Sequence, residues 1–244
     1  MIYWFGDTEE SVRFKIFSQE GMTLTPIEEI GSFLKSPPED AEGLLFSETQ
    51  MSKALGLAPF VPENLISLKF SDGFRFENKK WVPVCSYLTV FRTVFSSSSH
   101  FLDTSKAVLV VGELEPARAA MMTLFKMGFM EFMTLNQDKN SPTWLEGAKK
   151  GLFGIQVQNL GSRDLVNLSG NASVLINAVY EPKEVQFQQE LSYLNFLYRP
   201  ALILDFMSES FLFDVVEETQ EKELKFLHRE LIEKSCALWW KTKN

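Results

Sequence analysis

The sequence has few of the residues on which several protein classes depend. Its 244 residues include only two cysteines, Cys85 and Cys236, which lie far apart among apolar residues and form no CxxC or metal-ligand spacing. We therefore expect two buried free thiols rather than a disulfide or a nucleophile. The two histidines, His100 and His228, have no third group placed in sequence to complete a metal site or a catalytic set.

Positive charge and long apolar runs are also scarce. Lysine and arginine total 24 against 32 aspartate and glutamate residues, which gives a net charge of -8, and no basic cluster occurs. Because nucleic acids bind to basic surfaces, we expect no nucleic-acid partner. No run of about 18 apolar residues occurs, and no basic segment precedes a long apolar stretch at the N-terminus. These absences predict a cytoplasmic protein without a membrane partner.

The sequence does contain the material for a large core. Hydrophobic residues make up 45% of the chain, and 22 residues are phenylalanine. This length and composition fit one large α/β domain or two domains of about 100 to 150 residues each.

The stretch 106–137 predicts one strand-helix-strand unit. A β-branched run over 107–111 ends at Gly112, residues 114–127 have the apolar period of a helix, and 130–135 are apolar again. In such a unit the pyrophosphate of a dinucleotide normally lies on the turn after the first strand, at the helix N-terminus. The turn at Gly112 is therefore the first place to examine for a nucleotide site.

The segments after this unit extend it into a parallel sheet covered on both faces. The predicted elements are a short helix over 141–150, a strand over 171–177, a surface helix over 186–197, a strand over 201–206 and one long helix over 217–240. The long helix would carry a single apolar stripe formed by Leu224, Leu227, Leu231 and Leu238.

The first hundred residues predict a smaller α/β region. Strands are expected over 2–5, 43–47, 65–70 and 74–76, a capped helix from Thr25-Pro26 to 35, and a linking helix over 84–95. Residues 11–17 fit a helix or a strand equally well. The Ser71-Asp72-Gly73 sequence predicts a hairpin turn between the last two strands, and 96–100 predict a boundary loop.

The order and spacing of these motifs resemble the shikimate dehydrogenase family. The resemblance covers most of the chain and depends on an N-terminal α/β region, VLVVG and ARAA in the central unit, VLINA at 174–178, LILD at 202–205 and ALWW in the last helix. It implies a two-domain α/β fold. Residues 1–96 with the C-terminal helix 217–244 would form a substrate-type domain, and 101–215 a Rossmann-like domain with a parallel sheet.

The resemblance also implies a reaction, the reduction of 3-dehydroshikimate with NADPH, and a small molecule bound in the cleft between the two domains. Its cofactor-binding positions fall on Gly112, Asn136 and Asn177. The family's glycine-rich turn is reduced here to Gly112, with Glu113 and Glu115 placed where phosphates would arrive. The family's phosphate-reading arginine is replaced at 137 by glutamine. We therefore expect no tight cofactor binding, and NADP as the cofactor if the site functions.

The positions that carry the family's chemistry differ as well. Met51 stands where the lysine of the NVTxPxK motif belongs, with Lys53 two residues later, and Tyr87 takes the place of the aspartate of the NTD motif. Ser11 and Ser47 match two substrate-binding positions of the family.

Two functions of different classes follow from these differences. One is a diverged, non-catalytic binding or regulatory module, and the other is an active NAD(P)-dependent oxidoreductase acting on shikimate, quinate or a related hydroxy acid through a rearranged site. A third kinship, with the nucleotide domain of glutamyl-tRNA reductase, explains the central unit but not the N-terminal region or the tail. The oligomeric state does not follow from the sequence.

Overall fold

The chain forms two compact α/β units. The computed structural model describes residues 1–98, 102–135, 144–148, 152, 154–179, 191–219 and 223–242. The first unit comprises Met1–Phe91 and Glu230–Asn244, and the second comprises Arg92–Arg229. The C-terminal helix thus returns to the first unit, which confirms this part of the predicted fold. No helix within the described ranges is both long and apolar enough to cross a membrane.

A five-stranded mixed sheet forms the centre of the first unit. Its strand order is β2-β1-β3-β4-β5, with β1 parallel to β2 and β3, and β4 antiparallel to β3 and β5. The strands are β1 Ile2–Phe5, β2 Leu24–Ile27, β3 Gly43–Phe46, β4 Gly73–Glu77 and β5 Lys80–Val84. The helices before the second unit are α1 Val12–Gln19, α2 Ile30–Lys35, α3 Met51–Ala54 with a 3-10 turn over Leu55–Leu57, α4 Glu63–Leu68 and α5 Ser86–Ser98.

The stretch that fits a helix or a strand is the helix α1. Ser11 is its N-cap, and the Ser11 side chain accepts a hydrogen bond from the Phe14 backbone N–H. Such a cap satisfies one of the amide donors that a helix leaves unpaired at its start.

The helix start predicted at Thr25-Pro26 is wrong. Both residues lie in β2, where they pair with Tyr3 and Trp4 of β1. The helix begins later, after Glu29, whose carboxylate accepts hydrogen bonds from the N–H groups of the first helical turn. Pairing with a buried parallel strand outweighs the local capping pattern here.

The hairpin predicted around Asp72 is also displaced. The predicted strand 65–70 is largely the helix α4, because a short apolar run does not distinguish a buried helix from a strand. The hairpin instead joins β4 to β5 through Asn78 and Lys79, which have φ values of 51° and 61°. Two successive positive φ values suit the tight connection of an antiparallel hairpin.

The second unit contains a six-stranded, all-parallel sheet with the order β11-β10-β9-β6-β7-β8. Its elements are β6 Ala107–Gly112, α6 Glu115–Lys126, β7 Glu131–Leu135, α7 Trp144–Ala148, β8 Gln156–Leu160, a 3-10 helix over Ser162–Asn167, β9 Ala172–Ala178, β10 Leu197–Asp205, α8 Phe211–Thr219 and β11 Leu224–His228. Every residue of the central strand β9 is buried. The predicted strand-helix-strand unit is confirmed as β6, α6 and β7.

The single long helix predicted over 217–240 is wrong. The chain forms the end of α8, then the edge strand β11, and then the C-terminal helix α9 over Arg229–Thr242. Leu224 and Leu227 lie in β11, paired with β10, whereas Leu231 and Leu238 are each 51% exposed on α9. The four leucines therefore do not form one stripe, because backbone pairing with β10 interrupts the helix.

Two further predictions are settled in part. Of the surface helix expected over 186–197, residues 186–190 lie outside the described residues and Leu197 begins β10. Of the boundary loop expected over 96–100, residues 96–98 belong to α5, and 99 and 100 lie outside the described residues.

Candidate functional site

Polar residues of the second unit meet at the carboxyl edge of the parallel sheet. The register places Val111 opposite Asn177, Asn177 opposite Asp205, and Asp205 opposite His228. Gly112 follows Val111 at the same edge. In open parallel sheets this is the edge at which ligands bind.

The turn after β6 accepts only glycine at position 112. Gly112 has φ of 73°, and a Cβ atom there would lie 2.7 Å from the backbone oxygen of Ala178. Both the conformation and the close approach exclude a side chain. Glycine at position 112 is therefore a structural requirement of this turn.

The two acidic residues beside Gly112 differ in their contacts. Oε1 of Glu113 lies 2.7 Å from Nη2 of Arg118, and its Oε2 accepts the backbone N–H of Trp144 at 3.1 Å. Glu115 lies in the first turn of α6, where a negative charge stabilises the helix dipole. The Glu113 carboxylate thus already accepts from the Arg118 guanidinium and the Trp144 N–H near the turn. A phosphate that approached the turn would be repelled by the negative charges of Glu113 and Glu115.

Asn177 and Asp205 form a buried hydrogen-bonded pair. The Asn177 Nδ2 group donates to Oδ1 of Asp205 at 3.0 Å, and the carboxylate also accepts from the Met207 N–H and from the Ser210 hydroxyl. Burial raises the pKa of Asp205, against the opposing effect of these donors and of nearby His228. Within the described residues, the buried Oδ1 of Asn177 has no hydrogen-bond partner. An unpaired buried acceptor at this edge is a feature that a bound donor would satisfy.

Asn136 and the residues at 137–139 lie outside the described residues. Among the residues that are described, no group of three or more histidine, cysteine, aspartate or glutamate side chains could hold a metal ion.

Tyr87, which the resemblance in sequence matches to a catalytic aspartate, is fully buried in the first unit. Its phenol oxygen accepts a hydrogen bond from Nη1 of Arg13 at 3.0 Å, and its O–H donates to Oε1 of Glu233 on α9. Both hydrogen-bonding functions of the phenol are therefore used within the chain.

Arg13 connects the groups around Tyr87. Its Nη2 lies 3.1 Å from Oδ2 of Asp72, and its guanidinium packs over the rings of Phe17 and Tyr87 at 4.7 and 5.1 Å. Burial by itself lowers the pKa of Arg13, but the surrounding side chains of Tyr87, Asp72 and Glu233 raise it well above its ordinary value. The four side chains, Arg13, Asp72, Tyr87 and Glu233, form one buried group that we call the Arg13 cluster.

Sequence reasoning missed three members of the Arg13 cluster. The local sequence places Asp72 in a turn, but Asp72 is fully buried and its carboxylate also accepts a hydrogen bond from the backbone N–H of Ser86. Arg13 shares one face of α1 with the buried Ile16 and Phe17. That pattern is the signal that could have revealed Arg13, because a charged residue on a buried helix face needs a partner.

The other first-unit positions have structural environments. Met51 is fully buried in α3, whereas Lys53 is exposed. Ser11 caps α1 and donates to Oε2 of Glu48 at 2.6 Å. Ser47 is buried, and its hydroxyl shares a hydrogen bond with that of Thr49 at 3.2 Å.

The two cysteines are free and buried, as the sequence predicted. Burial raises the pKa of both thiols well above the ordinary value. A thiol with a raised pKa is a poor nucleophile at neutral pH, so neither cysteine adds chemistry to the site.

Comparisons with known proteins give no match by sequence and clear matches by structure. No protein-family model and no curated protein matches the chain. A shikimate dehydrogenase from Aquifex aeolicus is 15% identical with a TM-score of 0.68, covering 100% of this chain and 92% of that one. A quinate dehydrogenase from Corynebacterium glutamicum, in complex with NAD, is 12% identical with a TM-score of 0.73, covering 97% and 89%.

A third structure extends this agreement. A shikimate 5-dehydrogenase from Listeria monocytogenes, in complex with shikimate and NAD, is 12% identical with a TM-score of 0.70, covering 100% of this chain and 92% of that one. The chain thus has two α/β units, one of which contains a Rossmann-like parallel sheet. More narrowly, it has the shikimate dehydrogenase fold, which confirms the resemblance drawn from the sequence motifs at the level of the fold.

Proposed function

We propose that this protein is a shikimate dehydrogenase-like binding or regulatory module that does not catalyse the family's reaction. The observation that carries the proposal is the state of Tyr87. Its phenol is buried and paired with Arg13 and Glu233, so it is not available to a substrate.

The proton chemistry of the family has no replacement at the matching positions. General acid-base catalysis needs an ionisable group within about 3 Å of the reacting atom. The thioether of Met51 cannot transfer a proton, and Met51 is fully buried. Lys53 lies in the last turn of α3 and is exposed.

The cofactor side supports the same proposal. The quinate dehydrogenase and the Listeria shikimate 5-dehydrogenase named above are complexes with NAD. In this chain, Glu113 and Glu115 follow the turn at Gly112. A carboxylate beside a phosphate in a partly desolvated site costs on the order of several kcal/mol. We infer that NADP binds weakly in the usual pose and that any physiological ligand is a small molecule other than the intact cofactor-substrate pair.

The test is an assay of shikimate and quinate oxidation with NADP and with NAD, using the purified wild type, Lys53→Ala and Lys15→Ala. Lys15 is an exposed lysine of the same unit and serves as the matched control. We expect no turnover above background in any of the three proteins. Turnover that Lys53→Ala abolishes and Lys15→Ala leaves intact would establish the alternative, an active oxidoreductase in which Lys53 is the acid or base.

A second measurement addresses the binding role. Thermal unfolding is followed in the presence of small hydroxy acids, including shikimate and quinate, without cofactor. A ligand that binds only the folded state raises the melting temperature by mass action. Stabilisation by one of these acids in the absence of turnover is the expected result, and the lack of any shift across the series contradicts the choice of this ligand class.

A further inference from the structure

The second unit has a cleft at the edge of its sheet opposite to the candidate site. The cleft has a volume of about 450 Å3 and is lined where β6, β7 and β8 begin, at Ala107, Glu131 and Gln156, and by Asn171 just before β9. These are the amino ends of parallel strands, whereas Gly112, Asn177 and Asp205 lie at the carboxyl ends. The volume lies within the range of about 300 to 1,000 Å3 that is typical of small-molecule sites.

The polar lining of the cleft departs from the pattern of the sheet. Strands of an all-parallel sheet are normally apolar on both faces, because both faces are covered. In the edge strand β8, however, Gln156 and Gln158 are exposed and line the cleft, paired in register with Glu131 and Met133 of β7. Further along the same face, Leu160 of β8 is buried in the core. The amides therefore occupy positions that the rest of this face fills with apolar side chains.

Two opposite charges stand at the rim of the cleft. Lys106 directly precedes β6 and Glu131 begins β7, and these two strands are hydrogen-bonded neighbours. The Lys106 ammonium lies 4.4 Å from the centre of the ring of Tyr198, which belongs to β10 and is not part of the cleft lining. A cation over a ring keeps N–H groups that can donate to a ligand. Asp103, the nearby carboxylate, accepts from both the N–H and the hydroxyl of Ser105.

The apolar part of the cleft is formed by buried side chains. Met133 and Leu168 both line the cleft and belong to the core of the second unit, with exposed fractions of 6% and 8%. A ligand that fits this lining therefore has one cationic group, one anionic group and a short apolar part. The amides of Gln156, Gln158 and Asn171 can donate and accept the remaining hydrogen bonds.

We propose that this cleft binds a small zwitterion with an aliphatic side chain, of the class of the free α-amino acids. The carboxylate pairs with Lys106, the ammonium pairs with Glu131, and the side chain lies against Met133 and Leu168. The proposal is independent of the proposed function, because it uses the opposite edge of the sheet.

The test is isothermal titration of the full chain with L-leucine and L-methionine. Isovalerate, which lacks the ammonium, isoamylamine, which lacks the carboxylate, and glycerol are titrated in parallel. We expect saturable binding of the amino acids and at least tenfold weaker binding of the single-charge compounds, because each loses a charged hydrogen bond. Absence of binding at millimolar amino acid, or equal binding of isovalerate, would overturn the proposal.

Substitutions of the two charged residues test whether the amino acid binds in this cleft. Lys106→Met and Glu131→Gln should each weaken amino-acid binding about tenfold or more. Arg92→Met and Glu217→Gln change exposed charges of the same unit that do not line the cleft, and they should leave the affinity unchanged. Circular dichroism of all four variants checks that they are folded. Binding that persists unchanged in folded Lys106→Met and Glu131→Gln proteins would place the amino acid elsewhere and refute the assignment.

Discussion

Tyr87 and Glu233 lie 146 residues apart in the sequence, and the phenol of Tyr87 donates a hydrogen bond to Oε1 of Glu233 in the interior of the first unit. Glu233 belongs to the C-terminal helix α9, so this bond joins the two separate chain segments of that unit. Arg13 contacts both residues and balances part of the buried negative charge.

Removing the Tyr87 hydroxyl should destabilise the protein. Tyr87→Phe leaves buried groups of Arg13 and Glu233 with one partner fewer, at a cost of about 1 to 3 kcal/mol. Urea denaturation measures the loss. Tyr193→Phe, which changes a tyrosine that is 76% exposed, should have no measurable effect, and an equal effect of the two substitutions would contradict the role of the hydroxyl.

Loss of the Arg13 charge should lower the free energy of unfolding by more than loss of the Tyr87 hydroxyl does. Arg13→Met leaves Asp72 and Glu233 as buried carboxylates without their cation, which typically costs about 3 to 5 kcal/mol. The exposed Arg92 provides the matched control, Arg92→Met. Arg13→Met combined with Asp72→Asn should be less destabilised than the sum of the single variants, because the second change removes a charge that the first one left unpaired. Strict additivity would show that the two residues do not interact.

Gly112 should be intolerant of any side chain. Gly112→Ala forces a positive φ on alanine and a contact with the Ala178 carbonyl, so we expect a loss of roughly 1 kcal/mol or more. Gly56→Ala is the control, since a Cβ atom at Gly56 has no neighbour within 4 Å. A melting temperature equal for the two variants would mean that the turn after β6 adapts to the added group.

Asp205 should make stability depend on pH in a defined direction. Because burial raises its pKa above the ordinary 3.8, the folded protein binds this proton more tightly than the unfolded chain does. The stabilisation from Asp205 is therefore fully present below 3.8 and is lost as the pH rises through the folded-state pKa. Urea denaturation at a series of pH values measures the free energy of unfolding across this range. The decrease with rising pH that comes from Asp205 should be present in the wild type and in Asp214→Asn, which changes an exposed aspartate. It should be absent in Asp205→Asn.

The hydroxyl of Ser210 gives a second check on Asp205. Ser210 donates to the carboxylate, and a donor favours the charged form, so Ser210→Ala should raise the Asp205 pKa further. Carbon-13 NMR titration of the carboxyl group measures this directly. A decrease in the pKa would contradict the assigned hydrogen bond.

NADPH should bind with a dissociation constant above the micromolar range. The reason is the negative charge of Glu113 and Glu115 beside the turn, together with the missing arginine at 137. Energy transfer from the five tryptophans to the reduced nicotinamide measures binding. Glu113→Gln with Glu115→Gln should strengthen it, and tight saturable binding by the wild type would refute the expectation.

The sequence predicts the second unit better than the first. Continuous apolar strands and a periodic helix identify β6, α6, β7, β9 and β10, because each pattern is local. Asp-Gly at 72–73 and Thr-Pro at 25–26 have equally clear local patterns, yet their structures are decided by partners far away in the chain. The largest omission is the Arg13 cluster. A local pattern can mark Arg13 as a buried charge, but it does not show that the segments carrying Arg13, Asp72 and Glu233 converge on Tyr87.

The two-segment composition of the first unit also has a consequence for how the protein is made. Residues 1–91 leave the ribosome with Arg13, Asp72 and Tyr87, but Glu233 is synthesised only after the entire second unit. The interior of the first unit therefore stays incomplete while Arg92–Arg229 are translated, and these residues can fold as one unit in the meantime. We expect completion of the first unit to be the late step of biogenesis, and the nascent N-terminal segment to be the part of the chain most dependent on chaperones.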